Sequence, residues 1–138
     1  MTMNPLIVLC PGQGAQALGM GRAWADASEA AKSIFDRADA ILGSRLQAPL
    51  SKLCFEGPVE VLSRTDISQP AIFVTSPPCW AGLTARGVEA PPLAATAGLS
   101  LGEYTALVIA GAMSFEDGLE LVALRGRAMQ DAADSPLA

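Results

Sequence analysis

The sequence predicts an α/β fold, a short parallel sheet flanked by helices, and three observations carry that prediction. Leu6 to Cys10 and Leu93 to Ala97 are short apolar runs of strand length, set far apart in the chain. Between them lies a strong helical periodicity. Each run empties into a glycine-bearing turn, Pro11-Gly12-Gln13-Gly14-Ala15-Gln16 after the first and Gly98-Leu99-Ser100-Leu101-Gly102 after the second. Strands separated by helices in this way pair in parallel.

Leu6-Ile-Val-Leu-Cys10 is apolar without alternation and stops at Pro11, which reads as a strand buried on both faces. In the following loop, glycines at 12 and 14 permit a tight turn with inward-facing amides. Gly12-x-Gly14-x-x-Ala17 formally satisfies a dinucleotide-binding fingerprint, but Asp36 and Asp39 stand inside a helical pattern rather than at the end of a second strand. That pattern, Trp24, Ala27, Ala31, Ile34, Phe35, Ala38, Ile41 and Leu42, predicts one helix with its apolar face on the sheet, ended by Gly43. Asp26, Glu29, Lys32 and Asp36 form its solvated side.

From Ser44 to Ser68 the chain is mixed, with a loop at Glu56-Gly57-Pro58 and a helical turn from Val59 to Ser63. Ser68-Gln69-Pro70 reads as a helix start, with the proline in the first turn. Pro77-Pro78 would cost a continuous helix on the order of 3 kcal/mol or more each, so a kink or restart capped by Ser76 is expected there. Gly87 and Pro91-Pro92 close the segment.

Gly98-Leu99-Ser100-Leu101-Gly102 falls at a strand-to-helix turn, the setting of a nucleophile elbow like that of α/β-hydrolases. Glycines two residues before and after the serine leave room where a neighbouring backbone passes, and the turn pushes the hydroxyl outward. The Leu101 N–H, at the helix N-terminus, is placed to stabilise an oxyanion. Tyr104 to Ala110 is apolar almost all round, as for a helix buried beneath a sheet, and Gly111 ends it. Ser114 caps a last helix whose buried side is Phe115, Leu119, Val122, Gly126 and Met129. On spacing alone, Arg125 at the edge of that face reads as a surface residue with a packed stem.

The 138 residues fit one small domain or part of a larger one, and the net charge of −5 with no basic stripe argues against nucleic acid. Cys10, Cys54 and Cys79 are too few, too scattered and odd in number for a disulfide framework or a cysteine-based zinc site. No metal and no cofactor is expected. No signal-peptide pattern and no apolar run of membrane-crossing length is seen, which reads as a cytoplasmic protein with no membrane partner. The chain contains no histidine. The base that most often activates a serine is therefore not in it.

Four separated stretches together resemble the N-terminal part of malonyl-CoA:acyl carrier protein transacylases. They are Pro11 to Gln16 with Gly19-Met20, Gly57-Pro58 with Gln69-Pro70-Ala71, Ser100-Leu101-Gly102-Glu103-Tyr104, and Arg125-Gly126-Arg127-Ala128-Met129-Gln130. Leu101 and Tyr104 look more like the discrete bacterial enzyme than the acyltransferase domains of modular polyketide synthases, and the start at Met1 fits a free-standing protein.

The resemblance implies that residues 1–138 are the N-terminal segment of an acyltransferase domain, incomplete, lacking the small ferredoxin-like subdomain and the catalytic histidine beyond it. It implies malonyl-CoA and acyl carrier protein as partners in fatty acid biosynthesis, with Ser100 as nucleophile of a ping-pong transfer. Backbone N–H groups of Gln13 and Leu101 would form the oxyanion hole, and Arg125 would bind the malonyl carboxylate. The family pattern has a histidine before the nucleophile, where this chain has Leu99. Removing the histidine from a serine enzyme costs about 10⁶ in rate, so turnover is expected to be impaired. With few strands to complete its sheet, the chain is expected to be marginally stable or aggregation-prone. Three rival readings are an α/β-class serine hydrolase, a dinucleotide-binding module, and a catalytically dead acyl-CoA or carrier-protein binding fragment.

Overall fold

The structure, a computed structural model, describes residues 4–84 and 92–136. Its elements in chain order are β1 (Leu6–Cys10), α1 (Arg22–Ala27), α2 (Glu29–Leu42), a 3₁₀ turn (Gly43–Arg45), α3 (Leu50–Glu56), α4 (Val59–Leu62), α5 (Thr65–Thr84), β2 (Leu93–Gly98), α6 (Leu101–Ile109) and α7 (Phe115–Ala133). β1 and β2 pair in parallel, with Ile7 opposite Ala95, Leu9 opposite Ala97 and Cys10 opposite Gly98. Because the register ends with Cys10 beside Gly98, the two glycine-bearing turns leave the same end of the sheet. The expected α/β architecture is thus present as a two-stranded parallel sheet and its helices.

The core is helical. Around α5, whose Ala71, Ile72, Phe73 and Val74 are all buried, gather Phe35, Ala38 and Leu42 from α2, Leu50 and Leu53 from α3, and Leu119 and Val122 from α7. Phe73 stacks on Phe115 with ring centroids 5.6 Å apart, and Gly118 lies where a Cβ would meet the Phe73 ring at 2.7 Å. Ion pairs from Arg37 to Glu116 and from Arg45 to Glu120 fasten the solvent edge of this contact. Their carboxyls lie below the usual range because a guanidinium donates to each. As exposed pairs they add little stability.

Several local expectations are corrected. The predicted helix from Trp24 to Leu42 is two helices, because Ser28 adopts an extended conformation and its hydroxyl accepts from the Ala31 N–H, capping α2 instead of continuing α1. The apolar face of α2 packs chiefly on α5, α1 and α3 rather than on the sheet. The central helix begins at Thr65, three residues before the expected start, so Pro70 lies past the first turn.

No restart occurs at Pro77-Pro78. The helix runs through both, with Ala71 to Val74 ahead of them buried, and the Ser76 hydroxyl donates back to the Ile72 carbonyl at 3.1 Å rather than capping a new helix. Burial of Ala71 to Val74 outweighs the loss of two donors. Gly87 and Pro91 lie outside the described residues.

The sheet departs from expectation most. β1 is not buried on both faces: Ile7 is 62% and Leu9 76% exposed, and the paired Ala95 and Ala97 are exposed beside them. The helix packed on this sheet is α6, anchored where Thr96 Oγ1 donates to the Ala106 carbonyl at 2.8 Å. Nor is α6 buried all round, since Leu107 faces solvent while Leu101, Gly102, Thr105 and Ala106 are covered. Met129 of α7, placed on the buried side by periodicity, is 42% exposed. A cavity of about 580 Å³ separates β1 from Met20, Trp24, Ile72, Cys79 and Trp80, leaving the flank of the strand unfilled.

Candidate active site

Two of the described elements meet at Ser100, the end of β2 and the start of α6. Ser100 takes φ 59° and ψ −111°, and it is the only non-glycine among the described residues with positive φ. Such a conformation costs roughly 1–3 kcal/mol and persists only where the surroundings enforce it. Here the enforcement is visible in the flanking glycines. A Cβ on Gly98 would lie 2.2 Å from the Gly102 backbone, and one on Gly102 would lie 2.3 Å from the Cys10 carbonyl oxygen. β1, β2 and α6 therefore approach one another more closely than any side chain permits.

The Gly102 N–H donates to the Leu99 carbonyl at 3.0 Å and the Glu103 N–H to the Ser100 carbonyl at 3.2 Å, closing the turn. As the first helical residue, Leu101 presents an N–H that has no acceptor within its own helix. Its side chain is fully buried, which fixes the amide's direction from below.

The first loop lies against this turn. A Cβ on Gly12 would meet the Leu99 carbonyl oxygen at 3.1 Å, so the loop and the elbow touch backbone to backbone. Gln13 next to it is tied by its side chain: Nε2 donates to Thr65 Oγ1 at 3.2 Å, and Oε1 accepts from Gln69 Nε2 at 3.4 Å. After Gly14 the chain wanders through further turns before α1 begins at Arg22. A dinucleotide fingerprint needs its glycines to open directly into a helix whose N-terminus faces the phosphates. That geometry is not met.

Arg125 reaches the same place from α7. Its Nη2 donates to Ser100 Oγ at 2.7 Å, its Nη1 donates to Gln69 Oε1 at 2.6 Å, and its guanidinium lies 5.9 Å from the centre of the Tyr104 ring. The surface placement suggested by spacing is replaced by a half-buried one. Close approach of α7 to α5 makes the reach possible: a Cβ on Gly126 would fall 2.9 Å from the Thr65 carbonyl oxygen. Gln130, one turn on, accepts from the Thr65 N–H at 2.9 Å through Oε1 and so ties α7 to the start of α5.

Ser100, Leu101, Gln13 and Arg125 thus gather at one end of the sheet. Sequence reasoning gave no role to Gln69, which is 0% exposed and bonds to both Gln13 and Arg125. Its signal was the one amide, beside Ser68, at the head of the apolar stretch from Pro70 to Val74. Leu99, 80% exposed, projects from the outer side of the elbow.

The arrangement offers an exposed hydroxyl held by a cation, beside an amide at a positive helix end. Such a site suits attack on a carbonyl carried by an anionic group. The thiols do not compete as nucleophiles. Burial pushes Cys54 up to about 12, with Asp39 adding to the effect, and burial also raises Cys10 and Cys79. Among the described residues no cluster of His, Cys, Asp and Glu could hold a metal.

A family model described as acyl transferase domain matches residues 7–136. The malonyl CoA-acyl carrier protein transacylase of Bacillus subtilis (strain 168) is 43% identical over 130 residues, covering 94% of this chain and 39% of that protein. Among solved structures, the malonyl CoA-acyl carrier protein transacylase of Coxiella burnetii superposes with a TM-score of 0.86 at 35% identity, covering 98% of this chain and 40% of that one. A malonyl-transacylase solved in complex with a type II PKS acyl-carrier protein superposes with a TM-score of 0.81 at 39% identity, covering 94% and 40%. The chain therefore spans about two fifths of the length of the relatives it matches.

Proposed function

Since the chain belongs to the acyl transferase domain family, we propose that it carries the nucleophile half of a malonyl-transfer site, acting between malonyl-CoA and the phosphopantetheine thiol of an acyl carrier protein. The observation that carries this reading is the 2.7 Å bond from the Arg125 guanidinium to Ser100 Oγ at a strained elbow. A malonyl group has a carboxylate two bonds from the carbonyl that must be attacked. A cation beside the nucleophile can pair that carboxylate while the carbonyl carbon approaches Oγ.

In this reading the Ser100 oxygen adds to the thioester carbonyl, and the resulting oxyanion is received by the N–H groups of Leu101 and Gln13. The intermediate collapses with cleavage of the C–S bond, and coenzyme A leaves as its thiol with the proton that serine gave up. The carrier's thiol then attacks the seryl ester, the C–O bond breaks and Ser100 regains a proton. Arg125 is a cation and not the base, and its charge favours the developing alkoxide. With no histidine in the chain, water has to relay that proton from serine to the leaving sulfur, and acylation is slow by orders of magnitude.

The missing base favours one second reading, a piece that binds malonyl-CoA or its carrier without turning over. Residues 1–138 form, in either case, an N-terminal segment of an acyltransferase domain working in the cytoplasm. The test is intact-mass analysis after long incubation with malonyl-CoA. A gain of one malonyl group, absent in Ser100→Ala, supports transfer chemistry. Calorimetric binding without any adduct supports the second reading, and neither binding nor adduct removes both.

A further inference from the structure

We infer that Gln69 is the positioning residue that aims Arg125 at the nucleophile and couples that aim to the Gln13 loop, an inference that rests on the malonyl reading for its substrate consequences alone. Gln69 is fully buried, and its amide is used at both ends. Oε1 accepts from Arg125 Nη1 at 2.6 Å, while Nε2 donates to Gln13 Oε1 at 3.4 Å and lies 3.2 Å from Met129 Sδ.

The guanidinium has two arms in play, one on Ser100 and one on Gln69. An arginine held by a single hydrogen bond swings about its long stem. Held by two it is a fixed fork, which is what bidentate pairing with an incoming carboxylate demands. The second arm is anchored from the core rather than from the surface, because Gln69 sits on α5 just where Gly126 lets α7 come against it, a Cβ at 126 lying 3.5 Å from Gln69 Cβ.

The amide chemistry is specific. A neutral acceptor orients the guanidinium without neutralising it, so its full charge remains for a substrate carboxylate. A glutamate at 69 would hold the arm as firmly but match the charge from behind, and it would lack the donor for Gln13. A methionine would fill the space and hold nothing. Buried amides left unpaired are penalised, which keeps the native network closed.

The test uses Gln69→Met and Gln69→Glu in the full chain, with two readouts. The first is the side-chain guanidinium NMR signal of Arg125, recorded without substrate. Separate, slowly exchanging Nη protons are expected in wild type and in Gln69→Glu, and merged signals in Gln69→Met. The second is the Kd for malonyl-CoA and acetyl-CoA by calorimetry. Both variants are expected to raise the malonyl-CoA value about tenfold and to leave the acetyl-CoA value unchanged.

Restricted Arg125 protons persisting in Gln69→Met would overturn the inference, as would equal losses for both thioesters, the sign of a merely structural residue. Should Gln69→Met not fold, an unchanged malonyl-CoA Kd in Gln69→Glu would overturn it alone. A wild type that shows no preference between the thioesters, with Arg125 freed in Gln69→Met, would sink the malonyl reading and leave the positioning role standing.

Discussion

Ser100 concentrates the conflict between stability and chemistry at a single residue. Its φ of 59° with ψ −111° lies where only glycine is comfortable. Ser100→Gly is therefore expected to raise unfolding stability by about 1 kcal/mol, while Ser100→Ala leaves it unchanged, measured by urea denaturation. Equal stability in all three would show that the turn is not strained. The strain was legible in the sequence as glycines at 98 and 102, since those spacings have meaning only if something passes too close for a Cβ. Arg125 was not legible in that way. Helical spacing places it at the margin of a buried face, and the side chain's reach across Gly126 to Ser100 depends on the distance between α5 and α7, which no local pattern encodes. Gln69 was named in the sequence only as part of a helix start and of a matching stretch, and its role was not legible, because a buried amide on a helix has its explanation in partners more than fifty positions away.

At the scale of the element, α5 shows tertiary packing overriding local propensity. Pro77 removes the donor that would reach the Phe73 carbonyl, yet the helix continues because Ala71 to Val74 ahead of it are fully buried. Pro77→Ala, at a half-buried position, is expected to stabilise the chain by about 2 kcal/mol, the restored hydrogen bond and relieved clash being partly offset by a freer unfolded chain. The shift in denaturation midpoint measures it, and a loss of stability would mean that the proline ring is a needed packing element. The division between α1 and α2 has the opposite origin. There a local preference wins, since one serine hydroxyl capping the Ala31 N–H interrupts an apolar stripe that periodicity alone reads as continuous. Asp39, weighed in the sequence as the acid of a nucleotide site, instead accepts from the Ser51 N–H at 3.0 Å and caps the start of α3.

The whole molecule is a helical core carrying a narrow sheet at its edge. The sequence identified both strands and their parallel sense, because continuous apolar runs separated by helices admit few other arrangements. It overstated the burial of β1 because such a run presumes layers on both faces, and here one face, with Ile7 and Leu9, is open. An apolar sheet face of this kind invites association. Replacing Ile7 and Leu9 together by Thr is expected to lower light scattering at high concentration several-fold without lowering the melting temperature. Scattering unchanged by the pair would locate any association elsewhere.

The claim on which the functional account turns is that one pocket joins the Ser100 hydroxyl to the Arg125 cation. The direct measurement is peptide mass mapping after incubation with equal amounts of malonyl-CoA and acetyl-CoA, in wild type and in Arg125→Ala. The account predicts malonyl on the Ser100 peptide in about tenfold or greater excess in wild type, and that excess lost in the variant. Label on any other residue, or a malonyl preference that survives without Arg125, would contradict it.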